Sequence, residues 1–327
     1  MIWVGFFFSF CAVLAWVIST LVVSRGIKEL KETYKDIFNR VKDYSIKIEI
    51  IFTYLGITLL TGTILLSLSF IPLFIQNKFE FSGFLILAGI FSFSAGTGLY
   101  YFCTLVYEKA EIASQFSRVG PFFSIIFGVY IFGEIFNIFD LVSLILLGIG
   151  ITLFLIFTWT GKFGLIGFFL GILTSLSWTS GGIFMNLAFL TTPSNKFNPL
   201  AYTLISLFFG FLSLLLFNLV IMLRNRKKKK NQGIKFHFFK VEKSVAKYFV
   251  IHGILSTSIG FTLNFFGIFY LGVSGAAFIM SLWPILSLLV GYLLYSSSPD
   301  YLRYKEHIKW LFLIAIILLG ASIISIF

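Results

Sequence analysis

Gln115–Glu134 reads QFSRVGPFFSIIFGVYIFGE, and a version of it returns at Met280–Ser297 as MSLWPILSLLVGYLLYSS. A shift of 163 residues superposes Ala113 on Ala276, Pro121 on Pro284, Ser124 on Ser287 and Gly128 on Gly291. A proline inside an apolar segment removes a backbone hydrogen bond and bends the helix. Matching interrupted segments in the two halves of a membrane chain point to a transport site. Pro121 and Pro284 are therefore the expected hinges of a plan written twice.

Composition sets the same frame. Hydrophobic residues are 58% of 327 positions and charged ones 12%, with 44 Phe and a mean hydropathy of +0.99, which excludes an ordinary soluble domain. The formal charge of +12 is gathered into a few loops, the pattern of membrane orientation signals, so nucleic-acid binding is not expected. Cys11 and Cys103 fall in apolar segments and give no disulfide framework. His237, His252 and His307 lie too far apart in sequence for a metal cluster, and no cofactor is expected.

Ten segments are long and apolar enough to span a bilayer as helices: 2–24, 50–75, 82–106, 112–133, 139–159, 164–190, 199–222, 248–270, 273–295 and 308–326. The first lacks the basic leader of a secretory signal and reads as a retained helix. The expected fold is an all-α polytopic membrane protein with ten transmembrane helices as two inverted five-helix repeats, 1–160 and 161–327. Inversion follows because each half has an odd number of spans. Trp16 matches Trp178, and Leu147-Gly148 matches Leu319-Gly320. The 163-residue shift also pairs Ser94 with Thr257, Phe102 with Phe265 and Tyr107 with Tyr270.

Residues 25–49 carry apolar side chains at Ile27, Leu30, Tyr34, Ile37, Val41, Tyr44 and Ile48, a three-and-four spacing that describes an amphipathic helix on the membrane surface or a short coiled coil. A second basic connector, 223–247, opens with Arg224-Asn225-Arg226 and Lys227 to Lys230. The loops after spans one, three, five, seven and nine hold 7, 1, 1, 10 and, with Lys309 at the edge of the tenth span, 3 Lys or Arg, while those after two and six hold one each. The positive side is normally cytoplasmic, held near anionic headgroups, so both termini should face outward from a plasma (inner) membrane.

Ser94, Thr97, Tyr101, Thr104 and Glu108 recur at steps of three and four in the third span, and Thr257, Gly260, Asn264 and Gly267 answer in the eighth. Such stripes line a hydrated cavity or serve as helix–helix glue. Glu111, Gln115 and Arg118 lead into Pro121. Arg118 is the candidate for an anionic or polar group of a solute, or else it snorkels to the interface or pairs with Glu111. Glu108 and Glu111 are candidates for proton coupling, and Trp16, Trp178 and Trp283 for ring stacking on a solute or ordinary packing.

These features resemble the drug/metabolite transporter superfamily and its ten-helix EamA-type members. The resemblance is carried by Ala15-Trp16, Ser177-Trp178, Ala113 and Pro121, Gly133-Glu134, the LLGIG run at Leu146 to Gly150, Ala276, Pro284, Gly291, and LLG at Leu318 to Gly320. It implies a central cavity and alternating access for small organic metabolites such as amino acids, nucleosides, sugars or drug-like solutes, with a structural role for Glu134. Three departures stand out. Ser296-Ser297 replaces a second Gly-Glu, the 25–49 segment is long, and the family's termini are usually described as cytoplasmic. No GxxxxGK[ST] loop is present, so nucleotide hydrolysis is not expected. The expected partners are a small-molecule solute and anionic lipid, with a homodimer left open. An intramembrane lipid-acting enzyme and a non-transporting scaffold are the competing readings, and the enzyme lacks a visible His and acidic cluster.

Overall fold

The apolar spacing of the first span does not stop at Val23. Ile27 and Leu30 continue its buried face, so the first helix, α1, runs over Ile2–Thr33. A computed structural model describes residues 1–40, 44–76, 80–107, 119–134, 137–158, 165–192, 198–231, 241–295 and 308–324. After α1 come the short α2, Lys35–Arg40, and the long α3, Tyr44–Gln76. This corrects the separate surface helix expected over 25–49. Ile27 and Leu30 join a core with Tyr54, Val245 and Phe249, and Tyr34 and Ile37 pack against it. A stripe at helical spacing marks a face without saying whether lipid or protein covers it. Protein covers this one, at about 1.5–3 kcal/mol for each Ile or Leu taken fully out of water.

The third span of each half contains a widened turn. In the first half, α4 (Phe84–Gly89) passes through a π-helical segment, π1 (Ile90–Gly96), into α5 (Thr97–Tyr107). In the second half, α10 (Lys243–His252) passes through π2 (Gly253–Gly260) into α11 (Phe261–Met280). A π turn adds a residue without adding a turn and leaves carbonyls short of donors.

The proline helices start at their prolines and do not bend around them. α6 is Gly120–Phe132, with Pro121 in its first turn. α12 is Trp283–Tyr295, with Pro284 as its second residue and the Ser281–Leu282 turn before it. In a first turn the missing N–H has no helical partner to lose. The break at Ser281–Leu282 thus precedes Pro284, and Pro121 likewise stands in a first turn rather than mid-helix, while the residues before Val119 lie outside the described ones. A further break sits within α11 at Gly272, whose φ of 76° suits glycine and almost no other residue.

α7 (Ile138–Thr158), α8 (Leu165–Thr191), α9 (Asn198–Asn231) and α13 (Ile308–Ile324) complete the described elements. The basic run Arg224 to Lys230 is the helical end of α9 and not the start of a loop. Packing exchanges the two halves. α1 lies along α10, π2 and α11, and α8 lies along α4, π1 and α5. α3 packs on α9, and α7 on α13. One apolar core gathers α3, α5, α9 and α11, and a second gathers α7, α12 and α13, with Trp283 touching both.

Candidate functional site

Trp16 of α1 and Trp178 of α8 occupy matching places. Each half-buried indole N–H calls for an acceptor, and each finds one in the π segment of the other half. Trp178 Nε1 donates to the Ser92 carbonyl at 3.1 Å, and Trp16 Nε1 to the Ser256 carbonyl at 3.3 Å. The rings come this close because Gly96 and Gly260 lack side chains: a Cβ there would meet Trp178 at 2.4 Å and Trp16 at 2.5 Å.

Between the two cores, at these indoles, lies a cavity of about 140 Å³. Its aromatic wall centres on Trp283, whose ring centroid is 5.8 Å from both Trp16 and Trp178 and 6.0 Å from Tyr100. Around the wall stand hydroxyls from several helices, among them Thr20, Thr97, Ser124 and Thr179. Thr20 donates to the Trp16 carbonyl at 2.8 Å, Thr97 to the Ser92 carbonyl at 3.0 Å, and Thr179 to the Gly120 carbonyl at 3.3 Å. A hydroxyl whose proton is committed to backbone offers only lone pairs to anything else. Thr20 uses one on Trp283 Nε1, at 2.9 Å. Asn264 adds a buried Oδ1 with no hydrogen-bond partner. Among the described residues, no Asp, Glu, Lys or Arg lines the cavity.

The structure brings Trp16, Thr97, Pro121, Trp178, Asn264 and Trp283 to this cavity. It places Ser94, Tyr101, Thr104 and Thr257 outside the lining. Tyr101 is fully buried, with its hydroxyl 3.1 Å from Thr58 Oγ1. Thr257 donates to the Gly253 carbonyl at 2.7 Å, and Thr104 to the Tyr100 carbonyl at 2.8 Å. Pro284 lies in α12, while Glu108, Glu111, Gln115 and Arg118 lie outside the described residues.

The split has one physical cause. The lining follows Ser92, Thr97 and Tyr100 in one half and Ser256, Phe261 and Asn264 in the other: a step of five across the π turn, then three. These pairs, like Gly96 and Gly260, stand 164 residues apart, one more than the shift that aligns the prolines. One residue of slip turns a helix by about 100°. It exchanges Tyr100, which faces the cavity, for Tyr101, which does not. Ser19, Thr20, Tyr100, Ser124, Ser175, Thr179 and His252 also line the cavity and were not singled out as site residues by sequence. For His252 a signal existed, a lone imidazole inside an apolar span.

At the far end of α6, Gly133 closes the helix in the left-handed region, φ 63°, and turns Glu134 towards the second half. Its Oε1 accepts the Val273 N–H at 3.0 Å and its Oε2 the Ser274 N–H at 3.3 Å, capping the helical run that restarts after Gly272.

The architecture and the site define a polytopic membrane protein of two inverted five-helix repeats with a polar and aromatic cavity between them. A model of the EamA-like transporter family matches residues 44–156 and again 165–327. The chain belongs to that family, within the drug/metabolite transporter superfamily, and is a transporter of small solutes in a lipid bilayer. No protein of curated function matches it by sequence. A solved structure, described as the crystal structure of a protein, matches over 98% of this chain and 96% of its own with a TM-score of 0.61 and 13% identity, a likeness of fold.

Proposed function

We propose that the protein is a secondary transporter that moves small organic metabolites by alternating access, its repeats rocking so that the cavity opens to one face and then the other. The carrying observation is the cavity itself, placed between exchanged repeats, with π faces on one wall and hydrogen-bond acceptors around it. At about 140 Å³ it approaches the ~150 Å³ that admits a benzene-sized guest. A single-ring or similarly small solute with hydrogen-bond donors suits it: an amino acid, a nucleobase-like compound or a small drug-like amine. Asn264 Oδ1 is the acceptor with nothing else to bind. Arg118, the residue proposed for an anionic group of the solute, lies outside the described residues. The contact of Lys229 with Glu49 sets the basic end of α9 beside the start of α3, which supports one positive side and hence outward termini in a plasma membrane.

Uptake of labelled amino acids, nucleosides and sugars into proteoliposomes tests the reading. The wild type is expected to accumulate or exchange at least one of them, and Asn264→Ala to lose about tenfold in apparent affinity for it. Failure of the folded protein across the whole panel, with no dependence on Asn264, would favour a scaffold.

A further inference from the structure

We propose that His252 is the proton-binding site of this cavity, and that solute passage is coupled to protonation of its Nε2. The proposal rests on the transporter reading and adds its driving ion.

His252 is the last residue of α10, immediately before π2, and is 3% exposed. Its Nδ1 touches the Ser19 hydroxyl and lies 3.3 Å from the Ser19 carbonyl. In the tautomer with the hydrogen on Nδ1, the one that pairs with the Ser19 carbonyl because a carbonyl only accepts, Nε2 keeps a lone pair. Nε2 is buried without a hydrogen-bond partner on a residue that lines the cavity. A buried polar atom left unmatched is costly and calls for a reason. An incoming proton supplies one.

Among the described residues, the surroundings leave the imidazole as the charge-bearing group. α1 contributes Ser19, α3 contributes Thr58, and α5 contributes Tyr101, whose ring centroid is 5.5 Å away and whose hydroxyl is engaged with Thr58. Tyr101 is the titratable group in contact. Charged side chains on the same packed elements lie further along: Lys247 on α10, Arg25 on α1, and Glu49 on α3, which is paired with Lys229. Glu108, Glu111 and Arg118 lie outside the described residues. The step is balanced by a hydronium ion from the open face. It gives its proton to the Nε2 lone pair and becomes water, and the reverse transfer at the other face restores the neutral ring. The imidazolium keeps its Nδ1 bond to Ser19 and gains an Nε2–H donor. This differential contact favours a solute carbonyl or carboxylate only in the protonated state, as coupling requires.

With His237→Gln and His307→Gln in place, the imidazole Cε1–H resonance of the full protein in nanodiscs reports His252 alone. It is expected to protonate reversibly as the pH is lowered from about 8 to about 3. Ser19→Ala keeps the carbonyl but removes the hydroxyl, and should move the midpoint to lower pH because the imidazolium loses one of the two oxygens beside Nδ1. In vesicles loaded with a pH dye, the solute found by the uptake panel is expected to carry protons. His252→Gln should lower the number of protons carried per labelled solute moved by more than tenfold. A resonance that stays neutral throughout, or proton movement undiminished in His252→Gln, overturns the proposal. If the wild type moves no solute, the transport reading falls, and the titration with its Ser19→Ala shift decides the proton site independently.

Discussion

Replacing Lys229 with Met is expected to cost about 3–5 kcal/mol of stability, and replacing Glu49 with Gln in the same protein to restore most of it. Glu49 is fully buried where α3 meets α9. Its Oε1 is 2.5 Å from Lys229 Nζ, and its Oε2 accepts from Asn225 Nδ2 at 3.1 Å. Asn225 also donates to the Ser45 carbonyl at 3.1 Å and accepts from the Ser45 hydroxyl at 2.8 Å, so the amide is held in place by both ends of one residue. Removing the cation leaves a carboxylate out of water with one neutral donor, and the loss is the desolvation of that charge more than the attraction of the pair. A denaturant or thermal unfolding series in detergent checks this. The single variant should be much weaker than the double, whereas equal stabilities would mean that water reaches Glu49.

Glu134→Ala is the second large change. It strips two amides, Val273 and Ser274, of a charged acceptor at the start of a helical run. Gly272, held at φ 76°, lets the carboxylate come this close: a Cβ there would meet Oε1 at 2.6 Å. Bonds to charged groups contribute about 1.5–3 kcal/mol. A local loss near 2 kcal/mol corresponds to about thirtyfold faster opening. Hydrogen exchange at Val273 and Ser274 reads it directly, and unchanged protection would show that the cap is idle. Glu134→Gln, which retains one acceptor, should fall between.

The spans were legible because a bilayer permits few backbone solutions, so length and hydropathy place most of them. The pairing of Trp16 with Trp178 was legible too, since two rare residues recur in matching helices. What escaped the sequence was register. Two π turns carry no compositional mark, and they moved the cavity face from the Tyr101 stripe to Tyr100. The extension of α1 through Leu30 escaped for a different reason. An apolar stripe beyond the membrane edge reads the same against lipid, a second helix or its own fold. The prolines were found, but sequence alone did not show that both stand in the first turn of their helices, α6 and α12. His252 carries no partner motif in the chain. A lone imidazole in an apolar span was visible, but its role emerges when α1 brings Ser19 to one ring nitrogen and leaves the other unmatched.

Everything proposed for the cavity depends on its opening to both faces in turn. With Cys11 and Cys103 replaced by Ser, Thr179→Cys places one thiol in the lining. The decisive measurement is its modification by a membrane-impermeant maleimide applied to either face of sealed vesicles. Alternating access predicts modification from both faces, with solute gradients speeding one side as they slow the other. Modification from one face alone under every gradient contradicts it.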